Sequence, residues 1–187
     1  MKITLSKGEM LERFRLAGGF EHLRSDCAIE ATDGVDINAL IEEQLRRIYT
    51  ELLLTGPREL TAPEEFGATM KDAAYLGTNT GLVELPADVV RVYEIKLESW
   101  ETTADVKDAE EAEALKMRAD NQYTAPTTRY PAAATGSDGR TIVVSPAGSP
   151  RTVSMARGVR DPGPDKYTLE EAGLSWIFER MKTDFML

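Results

Sequence analysis

The stretch VVRVYEIKLE at residues 89–98 sets the fold class. Tyr93, Ile95 and Leu97 fall on one side of an extended chain, and Glu94, Lys96 and Glu98 on the other. That period of two marks a strand with one buried face. Val90 and Val92 are out of phase with this set, which places a β-bulge near Val92. Trp100 follows directly. Upstream, Leu82, Val83 and Leu85 form a short strand that Pro86 closes. Downstream, Gly136-Ser137-Asp138-Gly139 is a turn between residues 130–135 and 141–144, which reads as a hairpin. Residues 145–150 turn again, and residues 152–159 return as a third strand with Val153 and Met155 on one face. Connections of hairpin length favour antiparallel pairing over a βαβ unit.

Around this β-rich middle the period changes to that of helices. Ser6-Lys7-Gly8-Glu9 is a capping box, in which hydroxyl and carboxylate each satisfy a free backbone N–H. Met10, Leu11 and Phe14 follow at helical spacing, and Gly18-Gly19 ends the helix. Asp33-Gly34 marks a turn. Asp36 caps the clearest helix, residues 37–54, about 27 Å long at 1.5 Å per residue. Its apolar stripe is Ile37, Leu40, Ile41, Leu45, Ile48 and Leu52, with Glu42–Arg46 and Glu43–Arg47 pairs expected outside. Gly56-Pro57 stops it. Pro63-Glu64-Glu65 suits the first turn of a short helix, and residues 77–81 read as a loop. Residues 105–119 are acidic and alanine-rich, with Ala112, Leu115 and Ala119 as a thin stripe on a helix. After the stiff Asp161-Pro162-Gly163-Pro164-Asp165 segment, Thr168 and Glu171 form a second capping box. The last helix carries Leu169, Leu174, Trp176, Ile177, Phe178, Met181 and Phe185, so much apolar surface that it needs cover from more than one direction.

These elements predict an α+β protein, a single domain over residues 1–187. N-terminal helices and a C-terminal helix surround a small antiparallel β-sheet region with one inserted helix. The helical part takes residues 1–80 plus 167–187, and the β-rich part takes 81–165.

The chain has 22 basic and 32 acidic residues, a net charge of -10. Such a field repels phosphate and disfavours specific or non-specific nucleic-acid binding as the main activity. Cys27 is the only cysteine, which excludes an internal disulfide and a cysteine-rich zinc site and points to a reducing compartment. No signal-peptide pattern opens the chain and no apolar run reaches a membrane span of about 18 residues. A soluble protein, cytoplasmic at synthesis, is expected.

Motifs for chemistry are scarce. His22 is the only histidine. It stands five residues from Cys27, an offset that does not stack the two on a helix face. A nucleophile–imidazole site therefore has no support, and neither a G-x-S-x-G elbow nor a phosphate-binding glycine loop is present. Asp33-Gly34-Val35-Asp36-Ile37-Asn38 lacks the pattern of a calcium loop. Glu64-Glu65 and Glu110-Glu111 are sequence neighbours whose side chains diverge. A glycosidase-like pair would have to come from separate elements. The expectation is a non-enzymatic protein with no cofactor and no metal, working through its surfaces.

One resemblance adds to this. Residues 81–92, Gly-Leu-Val-Glu-Leu-Pro-Ala-Asp-Val-Val-Arg-Val, are strand, Leu-Pro-x-Asp turn and strand. Ile95-Lys96-Leu97-Glu98-Ser99-Trp100, then Asn121-Gln122-Tyr123, Arg129-Tyr130-Pro131, the hairpin at Gly139 and a strand ending at Pro162 follow in order. Over residues 37–187 this order resembles the head-to-tail adaptors (connector ring, or tail tubular, proteins) of tailed bacteriophages and prophages. The chain stops at Leu187 without the long C-terminal extension by which some adaptors grip the portal. The resemblance implies a virion structural protein, present first in the cytoplasm and then in the virion. It would assemble as a ring below the portal, with portal and tail proteins as partners and DNA passing through a central channel. No membrane partner is expected. Trp100, Trp176, Phe178, Met181 and Phe185 are the candidate protein-interface residues, since aromatics and methionine dominate interface cores; packing within the core is the other role open to each. A carboxylate-dependent hydrolase and a monomeric ligand-binding module are the alternatives.

Overall fold

The structure, a computed structural model, describes residues 1–18 and 37–185, with the side chains of Ile37, Asp184 and Phe185 outside that description. The Asp33-Gly34 turn, the Asp36 cap, His22 and Cys27 lie outside the described residues. The chain divides into two compact units, Met1–Ala62 with Asp161–Leu187, and Pro63–Arg160.

The first unit packs three helices on a two-stranded antiparallel sheet. Strand β1 (Lys2–Ser6) leads straight into α1 (Lys7–Gly18). The capping box forms as expected: the Ser6 N–H and hydroxyl donate to Glu9 Oε2 at 2.7 and 2.8 Å, which holds the Glu9 carboxyl below its usual range. Met10, Leu11 and Phe14 are buried. Helix α2 (Ile37–Thr55) buries Ile41, Leu45, Ile48, Tyr49, Leu52 and Leu53, while Leu40 of the expected stripe stays exposed. The expected Glu42–Arg46 pair gives way to longer reaches: Glu42 takes Lys7 at 2.7 Å and Arg46 takes Asp161 at 2.6 Å.

The second capping box does not form. Thr168 lies inside strand β10 (Lys166–Glu170), which pairs with β1 in the register Thr4↔Thr168 and Leu5↔Tyr167. Pairing with β1 buries Tyr167 and Leu169 fully, and that burial outweighs a local cap contributing about 1 kcal/mol. Helix α4 (Glu171–Phe185) starts only afterwards. It buries Leu174, Ile177, Phe178 and Met181, with the Phe178 ring 5.5 Å from that of Phe14.

The second unit overturns the expectation of a small antiparallel sheet framed by helices. Among the described residues the chain forms ten strands and four α-helices, and eight of those strands make one curled half-barrel sheet. The strands are β2 (Glu64–Glu65), β3 (Ala74–Gly77), β4 (Thr80–Glu84), β5 (Val89–Leu97), β6 (Ala104–Lys107), β7 (Ala132–Thr135), β8 (Thr141–Ser145) and β9 (Val153–Arg160), in the order β2-β9-β5-β6-β7-β8-β4-β3. The sheet is mixed, because β6 and β7 run parallel, joined over helix α3 (Glu111–Ala119). Of residues 63–65, read as a helix start, Glu64 and Glu65 form strand β2 instead, and the N–H of the following Phe66 reaches Ala156 O at 2.8 Å.

Several strand-level expectations hold. Strand β5 pairs with β9 along its length with three register shifts, of which the one between Val92 and Glu94 falls where the bulge is expected. Gly158 sits opposite that shift, where a Cβ would stand 2.8 Å from Val92 Cα, so only glycine lets the two backbones approach. The β7–β8 hairpin turns on Gly136–Gly139, where Asp138 Oδ1 accepts the amides of Arg140 and Thr141 at 2.9 and 3.0 Å. Those bonds hold its carboxyl below the usual range. The central strands are covered on both faces. Ile142 and Val144 face the half-barrel interior with Ile95, Leu97 and Trp100, while Val143 and Ala134 meet Ala112 and Leu115 of α3. The α3 stripe is the one its spacing predicts.

The Leu-Pro-x-Asp segment is a tight turn, with the Val89 N–H on Pro86 O at 3.1 Å. Arg140 clamps it through Val89 O and Pro86 O at 3.2 and 3.0 Å. Arg160 approaches Asp88 at 3.5 Å and bonds Thr69 Oγ1 at 2.7 Å.

Candidate functional site

Among the described residues, one candidate surface is the edge of the sheet at β3. Its two-residue turn, Thr78-Asn79, has φ of 49° and 60°, the left-handed geometry that matches the twist of paired strands. Asparagine tolerates this region, but a β-branched threonine is strained there. The Thr80 hydroxyl steadies the turn by donating to Gly77 O at 2.7 Å.

The turn is held from beneath by residues 145–150. Asn79 O accepts the Ala147 amide and the Ser145 hydroxyl, both at 3.0 Å. Pro146 O in turn accepts the Trp100 indole N–H at 2.8 Å. Two cis X-Pro bonds, Ser145-Pro146 and Ser149-Pro150, shape this loop. A strained turn persists where its surroundings over-determine it, and here a buried tryptophan, a loop and two bonds to one carbonyl do so.

Among the described residues no further strand pairs with the outer side of β3, and what the scaffold presents there is apolar. Every residue from Ala74 to Leu76 is exposed, with Tyr75 at 54% and Leu76 at 52%. The pairing with β4 shifts register between Tyr75 and Gly77. The Arg151 guanidinium lies 5.4 Å from the Tyr75 ring centre, within the range of a cation–π contact. Strand β3 ends the sheet, so its outer row of backbone N–H and C=O groups is a template for another strand. The opposite edge, β2, is two residues long and both are glutamate, the short, charged form that blunts an edge.

Of the residues expected at an interface, Trp100 is buried and acts as the brace just described. Phe178 and Met181 are buried in the first unit, Trp176 is half-buried, and the Phe185 side chain lies outside the description. Tyr75 and Leu76 were not among the candidates, because residues 77–81 read as a loop. Asn79 at a two-residue turn before the Leu82-Val83 strand is the signal that marks a hairpin there.

A cleft of about 380 Å³ opens beside β6, β7 and α3, with Asp105, Lys107, Glu111, Arg118 and Arg129 on its walls. Tyr123 and Tyr130 nearby in sequence are exposed. No group of three histidine, cysteine or acidic residues that could hold a metal ion is found among the described residues. No helix among them is long and apolar enough to cross a membrane. No protein-family model and no curated protein matches the chain.

Proposed function

We propose that this chain is a virion structural protein of the head-to-tail connector type, assembling as a ring below a phage portal. The observation that carries this reading is the rigidly supported, uncharged sheet edge at Ala74–Gly77 with Tyr75 and Leu76 exposed. An edge of that kind is costly to leave open, and natural proteins either protect it or pair it. The acidic balance of the chain, net -10, suits a channel through which DNA must slide without adhering. The Leu-Pro-x-Asp turn that bears the resemblance to connectors is clamped by Arg140, which fits a fixed structural element. Because Phe178 and Met181 are spent inside the subunit, the assembly contact is assigned to the sheet and not to α4.

The test is assembly on the portal protein encoded in the same genome. Negative-stain microscopy is expected to show closed rings capping the portal, since a repeated head-to-tail contact that closes makes a ring, with the copy number of about a dozen that the resemblance implies. A chain that stays monomeric with portal in excess at every ratio overturns the reading.

A further inference from the structure

The cleft beside α3 opens where β6 and β7 are tied at two ends and not between them. At one end the Glu101 N–H donates to Thr128 O at 2.8 Å and the Thr102 hydroxyl donates to Arg129 O at 2.8 Å. At the other the strands pair at Val106↔Ala133 and Lys107↔Ala134. Among the described residues no strand pairing joins 103–105 to 130–132, and Pro131 has no N–H to offer one. Ala104 and Val106 pack toward the half-barrel interior, so strand alternation sets Thr103, Asp105 and Lys107 on the outer face. Glu111, Leu115 and Arg118 recur at steps of four and three along α3 and form the opposing wall.

Acids outnumber bases in the chain, 32 to 22, yet Lys107, Arg118 and Arg129 all line this one cleft, with Asp105 and Glu111 beside them. None of these five makes an ion pair among the described residues. The Arg129 guanidinium lies 5.7 Å from the centre of the exposed Tyr130 ring. A parallel pair needs its crossover to carry the chain back. Helix α3 therefore sets Arg118 toward the Arg129 end of the groove and Glu111 toward the Lys107 end.

We propose that this groove binds the C-terminal end of an extended peptide from a partner protein, with the terminal carboxylate between Arg118 and Arg129. Guanidinium groups present planar forks that match a carboxylate, and capture of a chain terminus is a recurring mode of peptide recognition. Asp105 and Glu111 stand further along as acceptors. That suits the amide N–H groups of a peptide and repels a phosphate dianion. The run from Thr103 to Lys107 spans about 13 Å at 3.3 Å per residue, room for about four extended residues. Ties at both ends preform the groove, which lowers the cost of ordering it on binding.

Titration of the isotope-labelled chain with N-acetyl-tetraalanine, as free acid and as C-terminal amide, tests it by NMR. The acid is expected to shift the amides of Thr103, Asp105 and Ala132 saturably and to bind roughly tenfold or more tighter than the amide, because charge-assisted hydrogen bonds are the strong ones. An amide that binds as well as the acid, or no saturable shift, overturns the inference, and this comparison needs no variant. Arg118→Gln and Arg129→Gln are each expected to weaken the acid roughly tenfold. Both positions are exposed, so the fold should be retained, with far-UV circular dichroism as the control. Folded variants that bind like wild type overturn the inference. Propionate and inorganic phosphate separate the other sources of an anion. Each is expected to compete far more weakly than the peptide acid, and either one matching it assigns the cleft to a free small anion and overturns the peptide reading. Rings on the portal bear on the connector reading alone, and peptide binding bears on this cleft alone.

Discussion

Arg46 Nη2 stands 2.6 Å from each carboxylate oxygen of Asp161, while its Nη1 donates to Lys166 O at 3.0 Å. One guanidinium thus ties the middle of α2 to both ends of the segment between β9 and β10. Its face also lies 5.2 Å from the Tyr49 ring centre and 5.8 Å from that of Tyr167. Asp161 completes the turn by accepting the Gly163 amide at 2.9 Å.

A lysine at position 46 keeps the charge but cannot span a carboxylate, a carbonyl and two rings at once. Arg46→Lys is therefore expected to lower stability by about 1–2 kcal/mol, the upper range being discounted because Asp161 is partly exposed. For a chain of this size that is a fall in Tm of about 2–8 °C. Thermal unfolding of the variant checks it, and an unchanged Tm would show the clasp to be ornamental.

Beside this clasp the Tyr49 hydroxyl donates to Thr168 O at 3.0 Å and accepts the Thr168 amide at 2.9 Å. Burial pushes its pKa up to about 12, and burial also raises Tyr167. The folded state therefore keeps its phenol proton where the unfolded chain has lost it. The contribution is complete below the ordinary tyrosine pKa of about 10 and disappears as pH rises from there toward 12. Stability measured by denaturant should fall across that window by up to about 1.4 kcal/mol per pH unit for this group. Tyr49→Phe should flatten its share of the slope while costing stability at neutral pH, because the Thr168 backbone loses both partners. A slope identical in the two proteins would refute the assignment.

What could be read from the sequence was what short range decides. The Ser6–Glu9 box, the α3 stripe and the shift near Val92 depend on residues within a turn or a strand of each other. The Thr168–Glu171 box is just as good a local signal, yet those residues begin in a strand, because Leu5 and Tyr167 meet across a distance that no local pattern encodes. The parallel β6–β7 pair was hidden for the same reason: strands of four residues separated by a helix carry no mark of direction. The candidate site shows a further limit. Aromatic identity picked out Trp100 and Phe178, but exposure is a property of packing, and packing put Tyr75 and Leu76 outside instead.

Trp100 gives the sharpest separation of brace from contact. Trp100→Phe keeps most of the buried ring but removes the donor to Pro146 O, whose residue is buried. Leaving that carbonyl without a partner should cost about 1–3 kcal/mol. Because Pro146 is followed by Ala147, whose amide holds Asn79 O, the loss should travel to the β3–β4 turn. Hydrogen exchange at the Ala147 amide is expected to accelerate more than exchange at the central β8 amides of Val143 and Val144. Tyr75→Ser, at an exposed position, should leave stability within about 0.5 kcal/mol of wild type while weakening assembly. If Trp100→Phe leaves Ala147 exchange untouched, the tryptophan fills space and does not hold the turn. If Tyr75→Ser destabilises the fold as much as Trp100→Phe does, the edge is part of the core after all.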